Sequence, residues 1–458
     1  RILMFAVLIV TTITVAVLVH KFVSGAEKED FKTSYKVDSL KIYESLGSSM
    51  DTKLEAVDSL ALLMVSSARE KNETWPYTVL PNFASKAAKM RILSNAIALQ
   101  QYQWVEEEER SEWERYAKAN EGWVQEAIQV ERLDTTFNGP APTVDYCDVP
   151  TICNNFSTSI RYGGPIENNT GPYTPSWQTY PMLPSGLFSA YNWNAIQHKQ
   201  IGPGIRKVAK DHKVVIGPVL NFEDSKEASG DNRVTMWAAR HVGEEVDASE
   251  PVIRILYPIL DTEYNVAITV DQPESKVVGI IASSFFWRTF LENILPEGER
   301  GLIVVFANTC NQTFTYQVNG HQAQWIGSGD LHESHSSSSH SPLFTSMGDV
   351  KSFEEIGLYS STSYAGLPID EEYCTYTVST YPSVTMYNDH ISNAPLIYTI
   401  CAVAIFIFTA LVFIGYDVLV TLRQQKVMKT AVQSTTIISS LFPSNVRDRL
   451  LEAGGGGG

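Results

Sequence analysis

The chain of 458 residues is acidic, with a formal net charge of −16, and 44% of its residues are hydrophobic. This length allows about two or three domains. The acidic balance argues against nucleic acid or an anionic membrane surface as a partner. The sequence also lacks the motifs of a serine hydrolase, a phosphate-binding loop or a zinc protease, which argues against an ectoenzyme.

The N-terminal segment 2–19 is an uncharged apolar run. A signal peptide has a shorter apolar core followed by a small-residue cleavage site, and Gly25-Ala26 makes a poor one. The run therefore predicts a retained first membrane-spanning helix.

Three stretches after this run have a helical pattern. In residues 29–68, apolar side chains recur three to four positions apart and occasionally seven, as in Ile42, Leu46 and Met50. This predicts a long amphipathic helix leaving the membrane; an ordinary surface helix is the alternative. Further helical signals cover 84–99 and 106–134.

The region 136–235 is rich in Pro, Gly, Asn and aromatic residues and predicts loops with short strands. Aromatic rings beside one guanidinium can hold a small carboxylate or amine. Packing of loop aromatics against one another is the alternative. The candidate ligand-binding residues are Arg161, Tyr162, Tyr173, Trp177, Tyr191 and Trp193.

Beyond residue 250 the pattern changes to strands. Runs at 252–261, 276–285 and 301–306 are followed by a hairpin with an Asn319-Gly320 turn and by a last strand at 373–380. This predicts an α+β unit with an antiparallel sheet. Tyr257-Pro-Ile and Val278-Gly-Ile, with the aromatic helix after them, resemble a Cache/PAS-like lobe, and 95–115 resembles CHASE-type ectodomains. The resemblance implies a two-lobed sensor with a ligand site in the distal lobe.

Cysteines and glycosylation sequons favour a lumenal or extracellular middle segment. Four of the five cysteines lie there, and they allow three pairings. Cys147–Cys153 and Cys310–Cys374 are the preferred pairs, because each stays within one sub-region, and zinc is the rival interpretation. The four sequons begin at Asn72, Asn155, Asn168 and Asn311.

A Ser-rich loop carries histidines that set up a possible metal site. The candidates are His321, His332, His335 and His340. Such loops are usually flexible, so no metal and no cofactor are expected in this segment.

The second apolar run, 395–415, is long enough to cross a bilayer. Arg423, Lys426 and Lys429 follow it and place the C-terminal side in the cytoplasm. Within 416–451, a heptad seam predicts a short parallel coiled coil; one helix lying on the membrane or on another domain is the alternative. The seam residues are Val420, Gln424, Val427, Ala431, Ser434, Ile438 and Leu441.

This segment also carries a family resemblance. Tyr416-Asp417, Arg423-Gln-Gln-Lys-Val-Met-Lys429 and Ile437-Ile-Ser-Ser-Leu-Phe-Pro-Ser-Asn-Val-Arg-Asp-Arg-Leu450 resemble the receptor-type class III nucleotide cyclases of microalgae. The resemblance implies a dimeric cytoplasmic cyclase domain that uses Mg or Mn. The chain ends in the glycine linker 454–458. We therefore expect a fragment that keeps the sensor and the signalling helix and lacks the enzyme, which in the full-length protein would make cyclic GMP or cyclic AMP.

Together these patterns predict an α+β, two-span membrane protein. Its extracellular sensor, 27–392, comprises the long helix, a distal lobe at about 72–245 and a membrane-proximal lobe at about 250–392. Both ends are cytoplasmic, and the expected partners are the membrane, a second copy of the chain and an unknown small extracellular ligand. The alternative function is a two-span structural or adhesion glycoprotein without enzymatic output.

Overall fold

The computed structural model of the protein describes residues 2–134, 159–160, 168–181, 191–220, 250–261, 275–298, 300–332, 349–356 and 367–441. Several residues singled out from the sequence fall outside these ranges: Arg161, Tyr162, Cys147, Cys153, Asn155, His335 and His340. The chain divides into two compact units. One comprises residues 1–33 and 388–458, and the other comprises Ser34–Tyr387.

The first helix, α1 (Ile2–Glu70), joins the N-terminal apolar run and the predicted amphipathic helix into one element. No Pro interrupts it, and its two Gly residues have open space around them. From Phe31 onward the apolar stripe is buried, with Ile42, Leu54 and Val57 each at most 1% exposed. Burial of this stripe rather than helix propensity holds that part of α1 in place.

Among the described residues of the unit Ser34–Tyr387, four shorter α-helices lie between α1 and the last strand. They are α2 (Phe83–Ser94), α3 (Arg110–Ala119), α4 (Gly122–Leu133) and α5 (Gly202–Asp211). The predicted helix over 84–99 is therefore too long, because α2 ends at Ser94 and the next residue, Asn95, adopts a left-handed conformation with φ 54°. The predicted helix over 106–134 is interrupted between Ala119 and Gly122.

The first antiparallel sheet has the strand order β2-β1-β5-β4-β3. Its strands are β1 (Ala98–Gln103), β2 (Ser176–Tyr180), β3 (Val215–Ile216), β4 (Val252–Leu260) and β5 (Val277–Phe286). β5 is central, since Gln100 pairs with Ala282 and Leu256 pairs with the same residue from the other side. Strands from both sides of residue 250 thus build one sheet, and the strands after Phe286 build the other.

The second antiparallel sheet has the order β8-β7-β6-β10-β9. Its strands are β6 (Arg300–Asn308), β7 (Gln312–Asn319), β8 (Gln322–Ser328), β9 (Asp349–Ser352) and β10 (Tyr376–Pro382). β7 and β8 form the predicted hairpin, and Gly320 takes the left-handed turn conformation with φ 53°. The ring of Trp287, just after β5, lies 4.5 Å from that of Phe306 and 5.0 Å from that of Tyr376.

Two helices follow β10: α6 (Val384–His390) and α7 (Ala394–Leu441). Among the described residues, α1 and the segment containing α7 are long and apolar enough to cross a bilayer, with mean hydropathy of 2.2 and 2.7 in their most apolar windows. In the unit that contains the apolar runs, Ser392 donates a hydrogen bond to Glu27, and the rings of Phe31 and His390 lie 5.9 Å apart.

Lys53 on α1 is a buried lysine in surroundings that disfavour its charged form. Lys53 is 4% exposed; its Nζ donates to the Ser94 carbonyl at 2.9 Å and lies 4.6 Å from the centre of the Phe290 ring. Burial lowers the pKa of Lys53 from 10.5 to about 8, against the opposing effect of Glu292. The charged form is disfavoured because neither a carbonyl nor a ring replaces its full hydration.

We predict that Lys53→Met removes this pH dependence. Between pH 8 and 10.5 the unfolded chain keeps the Lys53 proton that the folded chain has lost, so wild-type stability should rise with pH in that window. Relative to Lys53→Met, the rise should be on the order of 3 kcal/mol. Denaturant unfolding followed by tryptophan fluorescence at both ends of the window measures it. Parallel pH profiles of the two proteins would contradict the assignment.

The disulfide between Cys310 and Cys374 closes a loop with a sequence separation of 64. In the chain-entropy picture such a crosslink stabilises the fold by about 4 kcal/mol. We predict that the double variant Cys310→Ser with Cys374→Ser loses stability of this order in denaturant unfolding. Cys401→Ser is the matched control, because Cys401 is free and exposed on α7. Equal losses in both variants would exclude a structural role for the crosslink.

Candidate functional site

Two of the predicted ligand-binding residues, Trp177 and Tyr191, belong to an aromatic cluster. Trp177 is fully buried on β2, and its ring lies 5.0 Å from Trp113, 5.6 Å from Trp123 and 5.5 Å from Tyr191. Its indole Nε1 donates to the Thr78 carbonyl at 2.9 Å, and the Tyr191 hydroxyl donates to the Ala117 carbonyl at 2.9 Å. The rings fill this space themselves, which favours the packing alternative.

Tyr173 lies in a separate polar group. Its hydroxyl donates to Glu107 at 2.6 Å and accepts from Arg110 at 3.1 Å, and the Arg110 guanidinium lies 4.9 Å from its ring centre. The Tyr173 hydrogen bond, followed by that of the Gly171 amide, lowers the pKa of Glu107. Arg110 also forms an ion pair with Glu114 at 3.1 Å, so its charge is already balanced by a carboxylate.

Trp193, the remaining described candidate, contributes to the core beneath α5. Its ring meets that of His198 edge to face at 5.6 Å, and it packs against a buried apolar cluster. That cluster includes Ile205 and Val208 of α5 and Leu256 of β4. These contacts place the described candidates in three groups of side chains.

A buried polar group lies on the α5-covered face of the first sheet. Arg254 of β4 is 4% exposed, and its Nε donates to the Ser284 hydroxyl at 3.2 Å. Its Nη1 donates to the Tyr102 hydroxyl at 3.3 Å, and that hydroxyl in turn donates to Gln100 at 3.0 Å. No carboxylate forms an ion pair with Arg254 among the described residues. Sequence reasoning missed this site, although Arg254 is the one charge in the run Pro251–Leu260.

The opposite face of the same strand contacts α1. Side chains alternate along a strand, so Tyr257 points away from the face of Arg254. The Tyr257 hydroxyl donates a hydrogen bond to Asp58 of α1. Burial raises the pKa of Asp58, and the Tyr257 hydrogen bond opposes that rise. β4 thus connects the polar group on one face with the long helix on the other.

α1 also contacts the second sheet, at β10. The Tyr35 hydroxyl donates to the Thr380 carbonyl at 2.7 Å, and the hydroxyls of Tyr43 and Thr380 lie 3.1 Å apart. All three residues are buried, with Thr380 fully so. These hydrogen bonds join the helix that follows the first apolar run to the strand that precedes the second.

The remaining sequence candidates are placed as follows. The structure pairs Cys310 with Cys374, the pairing preferred from the sequence, and the sequon residues Asn72, Asn168 and Asn311 are exposed. Within the described ranges, no group of three or more His, Cys, Asp or Glu side chains has the arrangement of a metal site. His332 instead bonds Asp330 at 2.6 Å and stacks on Tyr381.

The seam residues lie on one continuous helix. α7 includes Val420, Val427, Ala431, Ile438 and Leu441, and Val427 is 68% exposed in the single chain. Other apolar side chains nearby are also exposed, such as Met428 and Val432. This part of α7 is therefore available to a partner.

Comparison of the sequence with known proteins does not assign the chain to a family. No protein-family model matches the chain, and no curated protein matches it. The resemblance to cyclase receptors and to Cache and CHASE sensors stays a prediction.

We predict that Trp177→Ala lowers the free energy of unfolding by about 3–5 kcal/mol, because it opens a cavity in a filled aromatic cluster. Trp325→Ala is the control: Trp325 is only half-buried, so its loss should be smaller. Denaturant unfolding measures both. A stable Trp177→Ala protein would overturn the packing role and return Trp177 to the ligand-binding candidates.

Proposed function

We propose that the chain is the sensor and membrane part of a two-span receptor. An extracellular ligand acts on the unit Ser34–Tyr387, and α7 carries the signal to a cytoplasmic nucleotide cyclase domain. The observation that carries the proposal is the pair of hydrogen bonds from Tyr35 and Tyr43 to Thr380. They connect the two chain segments that lead to the two apolar runs.

α1 is suited to relay a change because it contacts both sheets. Asp58 bonds Tyr257 of the first sheet, while Tyr35 and Tyr43 bond Thr380 of the second. A packed helix with two sets of specific contacts moves as a rigid element when either set changes. A shift of one sheet relative to α1 would therefore alter the contacts of the other.

The output end fits a dimer. The seam of α7 alternates four- and three-residue spacings, as in a parallel coiled coil, and polar Gln424 and Ser434 make it adjustable. A second copy of the chain would cover Val427 and Ala431. Cyclases of the class that this chain resembles form their active sites between two copies of the cyclase domain. In the full-length protein, Mg or Mn would bind to that cyclase domain.

We predict that Val427→Cys forms an oxidative crosslink between two copies in membranes, because two seam residues of the same heptad position face each other in a parallel pair. The control is Gln425→Cys, on the same helix and outside the seam. Non-reducing electrophoresis measures the rates. Equal crosslinking of the two variants would contradict the seam.

The relay itself is tested by adding Thr380→Val to Val427→Cys. This change removes the Tyr43 contact at a distant point of the sensor, and a receptor should respond with a changed crosslinking rate. Thr377→Val is the matched control, since Thr377 lies on the same strand and bonds Ala307 within the sheet. A structural or adhesion anchor predicts unchanged rates for both.

A further inference from the structure

The guanidinium of Arg254 is an incompletely satisfied buried cation. An arginine side chain has five N–H donors. Two of them bond Ser284 and Tyr102, and the other three have no hydrogen-bond partner among the residues that the structure describes. A buried charge without a counter-ion is costly, so buried arginines are normally paired with an anion.

The hydrogen-bond partners of Arg254 are polar and neutral. Ser284, Tyr102 and Gln100 form the hydrogen-bonded group around it. A few convergent polar groups beside one cation can fix the orientation of a small ligand.

The apolar cluster beneath α5 borders Arg254, and Tyr102, which accepts from Arg254, belongs to it. Leu256 and Ala282 belong to that cluster, whereas the next pair along the two strands on this face is Arg254 with Ser284. Arg254 therefore stands at the rim of the α5 core, on the face away from α1.

We propose that Arg254 binds a small organic monocarboxylate, with Ser284, Tyr102 and Gln100 around it. The planar guanidinium matches a carboxylate with two parallel hydrogen bonds. One positive charge among neutral neighbours favours a monoanion, because a dianion such as phosphate would remain half-compensated. The proposal rests on the receptor function and names the class of its ligand.

Binding at Arg254 would affect the contacts of β4 with β10 and with α1. The Arg254 carbonyl accepts from the Gly217 amide at 2.8 Å, and the Gly217 carbonyl accepts from the Tyr376 hydroxyl at 2.8 Å. Tyr376 begins β10, the strand that contains Thr380. On the other face, Tyr257 of β4 bonds Asp58.

The test uses the full chain in lipid nanodiscs and follows thermal unfolding by tryptophan fluorescence. The probes are sodium formate, acetate, propionate, lactate and glycine, each at about 10 mM. Sodium chloride at matched ionic strength is the reference, and sodium phosphate is the dianion arm. At least one monocarboxylate should raise the melting temperature, and titration of that salt gives its Kd.

Arg254→Met should weaken that Kd by about 10- to 100-fold, the loss of a charge-assisted hydrogen-bond pair. Arg69→Met, an exposed arginine on α1, should bind as wild type. If Arg254→Met does not fold, Ser284→Ala replaces it and should weaken binding severalfold. No shift with any probe, equal binding by the variants, or a larger shift with phosphate overturns the proposal. Crosslinking at Val427 remains a separate readout, so failure here leaves the receptor proposal to its own test.

Discussion

The buried stripe of α1 is the constraint on which the described sensor unit depends. Side chains from Tyr35 to Ala68 on one side of the helix are nearly inaccessible, including Ile42, Leu46 and Leu60. An open antiparallel sheet must bury at least one apolar face against another element. The apolar stripe of α1 provides such a surface for the sheets. The helix gains its order in the same way, since an isolated helix is weakly stable in water.

Polar groups on α1 set its register against the sheets. An apolar stripe alone tolerates sliding, because apolar contact is not directional. Lys53 requires the Ser94 carbonyl and the Phe290 ring, and Asp58 requires the Tyr257 hydroxyl. A shift of one helical turn leaves each of these buried groups without its partner, which costs about 1–3 kcal/mol for each group. Burial of Lys53 and Asp58 is unfavourable by itself, but their specific partners fix the position of the helix.

Sequence patterns anticipated the local elements and missed the long-range pairing. The periodicity of α1, the Asn319-Gly320 hairpin and the two apolar runs are local signals, and each has its counterpart in the structure. The predicted helix over 84–99 included the first two residues of β1, Ala98 and Leu99, because Ala96-Ile-Ala-Leu99 has no strand alternation. Pairing of β1 with β5 decides their conformation. The first sheet joins β1 to β5 over a long stretch of sequence, so no local pattern places the lobe boundary.

The same limit applies to the ligand-binding candidates. Aromatic residues in a Gly- and Pro-rich region suggested a pocket, but only the tertiary structure determines whether rings face a ligand or one another. Trp177 faces other rings, whereas Arg254 gains its meaning from Ser284 and Tyr102, which come from two other strands. A single charge inside an apolar strand is a sequence signal in its own right, because burial of that strand forces the charge to find a counter-ion. Arg254 carries that signal on β4, which contacts α1 through its opposite face and β10 through Gly217. Recognition and relay would then depend on one strand, and any ligand that moves β4 changes both contacts at once.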